Sequence, residues 1–331
     1  MLQAFGHATL AEANEIKMPL APARGQLRST LLASALLLLF SSPAAGEELL
    51  IHIVTGLFRE GLIPPGSVVD AGTNTGVEAC LYASLDPERT VHAVDPLKLN
   101  IDSVRRLCAN RLPNVQPLLG GIGAERKTLH VPAAKSRYGG QMISIASTVP
   151  GDSPLGAGRD RVAVAHVDNR TIGGQSFEVW TLDELFDTQW RGERLAFAHW
   201  DTEGNELDIL RGGSRTLRRD APVFTVECVV HKSPQYTTAL LEQLAAMGYE
   251  TLLVEEEAGL PFDTRNLLNL PRFHPEREMA GSSEAADMAS ESEAKHGHRG
   301  KHWHTSATLQ HLLAIGRLVR VNATSIALQQ R

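Results

Sequence analysis

The chain is poor in several things, and each shortage narrows what it can be. Only three cysteines occur in 331 residues, too few for the disulfide framework that staples small secreted domains. Cys80 and Cys108 fall in apolar helical stretches and Cys228 in a strand, so all three read as buried free thiols. Aromatic residues make up 5% and the net charge is −6. Without a basic patch interleaved with aromatics, a nucleic-acid partner is excluded. No internal repeat is visible, and no apolar run is long enough for a comfortable membrane span. Missing too are the G-x-G-x-x-G fingerprint and a Tyr-x-x-x-Lys pair, which weighs against a nucleotide-dependent oxidoreductase or epimerase. With 43% hydrophobic and 21% charged residues, there is material for one large α/β domain with appendages.

The richest stretch runs from Ser67 to Gly76. A short apolar strand passes into the turn Asp70-Ala-Gly-Thr-Asn-Thr-Gly76 and then into a helical run. That is the shape of a cofactor site at the carboxyl end of the first strand of an α/β sheet. Gly72 and Gly76 allow a tight turn and close approach of a ligand, with Thr73 and Asn74 between them. No Lys or Arg lies in the turn, so nothing there neutralises a pyrophosphate. S-adenosylmethionine (SAM) fits better, since it carries a sulfonium, an amino acid end and a nucleoside but no phosphate. Asp70 supports the turn or the methionine end.

A second strand, Thr90 to Val94, ends in Asp95 and Pro96. An acid at that place can accept from a ribose diol. A third strand, Leu195 to Trp200, leads to Asp201 and Glu203 and then to an amphipathic helix closed by Gly212. If the strands are parallel, these carboxylates stand over the same crevice and could hold a substrate hydroxyl, an ammonium or a metal. A plainer role is also open, in which Glu203 and Glu206 only favour a helix N-terminus.

Taken together these residues resemble the FkbM-type SAM-dependent methyltransferases, over about Gly66 to Glu255. The resemblance rests on the D-x-G-x-N-x-G turn, the Asp95-Pro96 pair followed by Asn100, and the phrase Trp180-Thr-Leu-Asp-Glu-Leu. It also rests on the D-x-E-G-x-E-x-x-x-L-x-G-G block from Asp201 to Gly213 and on the strand Pro222 to Glu227. The family often has Ala where Thr73 and Asn205 stand and Glu where Asp95 stands. The resemblance implies O-methylation of a hydroxyl on a sugar, glycan or other small metabolite, and an antiparallel final strand in the sheet. Asp201 is then the first candidate for general base and Glu203 the second, with Glu227 and His231 near enough to orient or replace them. The acceptor is not implied, because the stretch from Lys127 to Val179 is where such enzymes differ. Two other readings stand beside it: a SAM-binding lumenal interaction protein without turnover, and an oxidoreductase or epimerase on the same sheet.

The pattern predicts a Rossmann-like, doubly wound and mostly parallel sheet over residues 47–272, with a strand-rich insertion at about 128–179. Ahead of it, Arg24 and Arg28 precede an apolar core from Leu31 to Phe40 and small residues to Gly46, as in a signal peptide or signal anchor covering residues 1–46. This places the chain in the secretory pathway, with organelle targeting as the alternative. Asn169-Arg-Thr171 and Asn322-Ala-Thr324 are glycosylation sequons. Residues 273–304 are rich in Glu, Ser, Ala and His and read as a disordered linker, and residues 305–331 as a helical tail. His296, His298, His302 and His304 are read as solvated side chains, not as a metal site.

Overall fold

The computed structural model describes residues 47–131, 138–145, 162–167, 175–202, 204–228, 234–255, 265–272 and 303–323. The leader, Glu203, His231 and Asn169 lie outside the described residues, as does the linker up to His302.

Strands β1 (Ser67–Ala71), β2 (Val91–Asp95) and β9 (Leu195–Trp200) are buried along their whole length. Runs that are apolar on both faces belong in a parallel sheet covered by helices. They form the centre of an eight-stranded sheet in the order β13-β11-β12-β10-β9-β1-β2-β3. Its remaining members are β3 (Val115–Leu119), β10 (Val223–Cys228), β11 (Tyr249–Val254), β12 (Arg265–Pro271) and β13 (Leu318–Val321). β1 pairs in parallel with β2 and β9, and β10 with β9. β12 is antiparallel to both β10 and β11, which places the reversed strand that the resemblance implied.

One face is covered by α1 (Glu47–Arg59), α2 (Val77–Leu85) and α8 (Ala307–Ala314), whose Ile53, Leu57, Ala79, Leu309 and Leu312 share a core with Val68 and Phe197. The other face is covered by α4 (Leu182–Asp187), α5 (Glu206–Gly212), α6 (Ser214–Asp220) and α7 (Pro234–Ala246). The second strand is followed by α3 (Lys98–Val104), which runs on as a π-helical turn over Arg105–Ala109. The insertion contributes β5 (Lys127–Val131) and β8 (Gln175–Trp180), which with β4 (Gly121–Ile122) ahead of it form a three-stranded sheet, and β6 (Tyr138–Ile145) with β7 (Val162–Val167), which form a hairpin.

Two expectations are corrected. Cys80 on α2 and Cys108 in the π turn are not free thiols but form a disulfide, with their Cα atoms 5.6 Å apart. Both sit in apolar helical stretches, as read, but packing of the two helices brings the thiols together. Cys228 is free and buried, and burial pushes its thiol up to about 12. The C-terminal segment is not simply a helical tail. It begins with a 3-10 turn at Trp303–Thr305, inside the span read as linker, continues as α8 and ends as strand β13 on the sheet edge. Trp303, Leu309, Leu312 and Leu318 are buried, and Thr308 donates its backbone N–H to Glu60 at 3.0 Å. Among the described residues no helix is long and apolar enough to cross a membrane.

Candidate functional site

The chain leaves β1 outward to β2 and β3, and later returns to β9 on the other side of β1. Such a switch point opens a crevice at the carboxyl ends of the strands. Backbone bonds align the three strand ends there: Gly72 N–H donates to Val94 O at 2.9 Å and Asp201 N–H to Ala71 O at 3.0 Å.

The turn after β1 is built from left-handed backbone. Gly72 (φ 84°), Asn74 (φ 48°) and Gly76 (φ 91°) all have positive φ, a conformation glycine adopts freely and Asn tolerates better than most. A Cβ on Gly72 would strike the carbonyl of Asp201, so the first glycine is required by the approach of β9's end to the turn. Thr73 is buried and its hydroxyl donates to Asp70 Oδ2 at 2.6 Å. Asp70 is 1% exposed. Burial, above all, and then the nearby Glu78 carboxylate raise its pKa well above the carboxylate range, with Asp201 and Asp95 adding to this against the Thr73 bond.

Asp95 is the hub of the second loop. Its Oδ1 accepts from Leu97 N at 2.8 Å, and its Oδ2 from Asn74 N and Asn100 Nδ2, each at 3.0 Å. Pro96, with no N–H, stops the strand directly after it. Burial raises Asp95 to about 6 in spite of these bonds. Asn100 sits on the first turn of α3, and that position is what lets it reach back to Asp95.

Asp201 stands at the end of β9, and its Oδ1 is buried without a hydrogen-bond partner among the described residues. Glu203, which the sequence pairs with Asp201, lies outside the described residues, and Glu206, the next acid after it, has a different task. It is 1% exposed. Its Oε1 accepts from Thr202 N, Thr202 Oγ1 and Gly204 N at 3.0 to 3.2 Å, and its Oε2 from Tyr236 at 2.6 Å. Glu206 therefore ties the loop after β9 to α7, which is more than helix-terminus electrostatics. Tyr236 was not singled out from sequence. Glu227, at the end of β10, is in register with Asn266 of β12.

The remaining pieces of the sequence pattern are scaffolding. Thr181 caps α4 by accepting from Glu184 N at 3.0 Å, the first half of a capping box. Asp183 caps α6 through Thr216 N at 2.7 Å. A Cβ on Gly212 would strike the backbone carbonyl of Gly123, so α5 can lie against the β4 loop only with glycine there.

Three carboxylates, Asp70, Asp95 and Asp201, thus gather where β1, β2 and β9 end; Asp201 raises the pKa of both others, and Asp95 that of Asp70. Among the described residues no Lys or Arg forms an ion pair with any of them. The crevice thus offers no cation to pair with a pyrophosphate, and of its acids Asp70 is the one whose burial most favours the protonated form. No group of metal-ligating side chains exists among the described residues.

Fold and site together define a doubly wound α/β protein with a crevice at its switch point. Residues 70–251, more than half of the chain, match the Methyltransferase FkbM domain family, and the chain belongs to that family. Over 91 residues it is 29% identical to the Ribosomal RNA small subunit methyltransferase G proteins of Psychrobacter arcticus and Psychrobacter cryohalolentis, covering 27% of this chain and 38% of each relative. The chain thus spans well under half the length of these curated relatives. Among solved structures, a methyltransferase FkbM from Methylobacillus flagellatus is similar with a TM-score of 0.38 and 17% identity, covering 65% of this chain and 47% of that one. A putative methyltransferase from Streptococcus mutans, in complex with SAH, has a TM-score of 0.37 and 10% identity, covering 66% and 96%.

Proposed function

We propose that this chain is a SAM-dependent O-methyltransferase whose acceptor is a hydroxyl of a sugar, glycan or other small metabolite. The observation that carries the reading is the gathering of Asp70, Asp95 and Asp201 at the ends of three adjacent strands, with no Lys or Arg paired to them among the described residues. When bound, the sulfonium cofactor supplies an electrophilic methyl group. The chain's own part is to bind, to orient and to take a proton. Gly72, Thr73, Asn74 and Gly76 shape the cradle, and Asp70 with Thr73 holds its form. Asp95 fixes the second loop, and Oδ1, with a single protein donor, keeps a lone pair for a ribose hydroxyl.

An alcohol is barely ionised at neutral pH, so a base helps. Asp201, at the end of β9, is the first candidate, and Glu203 and His231 join it as sequence-based candidates. Most of the rate then comes from holding acceptor oxygen and methyl donor in line. The leader and the Cys80–Cys108 bridge support a secretory-pathway location, since disulfides persist in oxidising compartments.

The test is calorimetric titration of the purified chain with SAM, S-adenosylhomocysteine (SAH) and NAD. Micromolar binding of both adenosyl ligands, followed by transfer from labelled SAM to a panel of glycans and small alcohols, is the expected result. Binding of NAD alone, or of nothing, overturns the proposal. SAH binding with no transfer to any acceptor favours a non-catalytic SAM-binding protein.

A further inference from the structure

A row of polar side chains crosses the parallel sheet just beneath the crevice, where such strands ordinarily carry apolar residues. Asp70 on β1 is in register with His199 on β9, and His199 with Thr225 on β10. All three are buried, His199 at 7% exposure. Strand residues two apart share a face, and Val68, Phe197 and Val223, each two positions earlier, pack in the core with α2. The row therefore faces α2, and there the ring of Tyr82 lies edge-on to that of His199 with centroids 6.3 Å apart.

His199 is tied on one side only. Its Nδ1 is 2.8 Å from Thr225 Oγ1, while Nε2 has no hydrogen-bond partner among the described residues. Asp201 follows two residues further along the chain, and its buried Oδ1 also lacks a partner. The acceptor-only Asp201 oxygen is buried where an unmade bond is costly, and the second ring nitrogen of His199, two residues back on the same strand, is able to donate.

We propose that His199 is a positioning residue for Asp201: Nε2–H donates to the Asp201 carboxylate in the filled site, while Nδ1 accepts the Thr225 hydroxyl proton. The pair holds one carboxylate oxygen and leaves the other for the acceptor. This rests on the methyl-transfer reading, in which Asp201 is the base. The groups that face the ring are Asp70 from β1, Tyr82 from α2, Asp201 from the end of β9 and Thr225 from β10. Burial keeps the imidazole neutral at ordinary pH, and Asp201 works against that.

The experiment is 15N NMR of the full chain labelled at histidine, with and without SAH, comparing the wild type with Asp201→Asn and Thr225→Val. Expected is the Nε2–H tautomer in the wild type. Its titration midpoint should fall by about one unit or more in Asp201→Asn, because a carboxylate within hydrogen-bond reach favours the imidazolium. In Thr225→Val, Nδ1 loses its donor and the tautomers mix. Circular dichroism confirms that each variant is folded, and Thr225→Val, which keeps the side-chain shape, still decides the tautomer if Asp201→Asn does not fold. An Nδ1–H tautomer, or the same midpoint in wild type and Asp201→Asn, overturns the pairing. Calorimetry with SAH on the same samples separates the two claims: SAH binding with an unmoved His199 defeats the pairing alone. An Asp201-dependent His199 in a chain that binds no SAH defeats the methyl-transfer reading alone.

Discussion

Asn74 donates its backbone N–H to Asp95 Oδ2 at 3.0 Å, so the glycine turn after β1 and the acid that ends β2 are one hydrogen-bonded unit. The same carboxylate also holds Leu97 N and Asn100 Nδ2. Replacing Asp95 with Ala leaves three donors without their acceptor, each at about 1–3 kcal/mol where buried. We expect Asp95→Ala to melt several degrees lower and to bind SAH at least about tenfold more weakly. Asn100→Ala removes one bond only and should lower affinity without a comparable loss of stability. Thermal denaturation with calorimetry of both variants checks this, and unchanged SAH affinity in Asp95→Ala would remove Asp95 from the cofactor site.

The pH dependence follows from the raised carboxyls. Asp95 titrates at about 6 in the folded chain because of burial, against about 3.9 for a free Asp. Below about pH 4 both states hold the proton. Between about 4 and 6 only the folded chain does, so this group's contribution to stability is lost as pH rises through that window. Ligand binding runs the other way. A positively charged ligand favours the ionised carboxylate, so SAM should bind more tightly as pH rises through about 6, with release of protons. SAM, carrying one positive charge more than SAH, should gain more. Calorimetry at pH 5, 6 and 7 in buffers of different ionisation enthalpy measures both effects, and equal pH dependence for the two ligands would contradict the acidic crevice.

The two structural glycines of the sequence pattern give a third prediction. At Gly72 a side chain meets both a φ of 84° and the carbonyl of Asp201. At Gly212 the backbone is helical and the obstruction is the backbone of Gly123, with the Ala124 Cα close behind. Both alanine variants should be destabilised, because backbone cannot yield as a flexible side chain can. Gly72→Ala should in addition lose SAH binding in whatever fraction folds, whereas Gly212→Ala should keep it. Soluble yield and calorimetry of the two variants decide.

Much of this was legible in the chain. The strand-turn-helix signal at residues 67–85, the acid at Asp95 and the buried run before Asp201 give a doubly wound sheet by local pattern alone. What local pattern could not give depends on which segments meet in space. Residues 305–331 read as a helical tail, yet the helix stops at Ala314 and Leu318–Val321 is strand β13, because pairing with β11 outweighs intrinsic preference. Glu206 looks like any acid at a helix start until Tyr236, thirty residues on, is found bonded to it. His199 lay inside an apolar run and drew no attention, since its meaning comes from register with Asp70 and Thr225.

The cysteines belong to the same class of hidden relationship. Cys80 and Cys108 are 28 residues apart, one on the helix that begins at Gly76, the other in the π turn that continues α3. A bridge closing a loop of that size contributes about 3–4 kcal/mol in the chain-entropy view. The double variant Cys80→Ser, Cys108→Ser should therefore show a lower denaturant midpoint, with a slope that is if anything steeper because the unfolded chain is less constrained. Mass spectrometry of the untreated chain should find two fewer hydrogens than the reduced form. Equal midpoints for wild type and variant would mean that the bridge does not form.

The carboxylate at the end of β9 gives the sharpest functional prediction. Asp201 contributes its backbone N–H to the ladder with Ala71, which a side-chain change leaves intact. Asp201→Asn keeps the size and removes both the charge and the ability to take a proton. If Asp201 is the base, turnover should fall by about a hundredfold or more, the usual worth of a positioned base. Affinity for SAH should change little, because Asp70, Asp95 and the turn remain. If the charge of Asp201 serves to attract the cofactor instead, SAM affinity drops, and the loss in turnover is recovered at saturating SAM. Steady-state rates against SAM concentration for wild type and variant, read beside the calorimetric affinities, separate the two roles: a depressed rate at saturation assigns Asp201 to the acceptor's proton, and a rate restored by excess SAM assigns it to the cofactor.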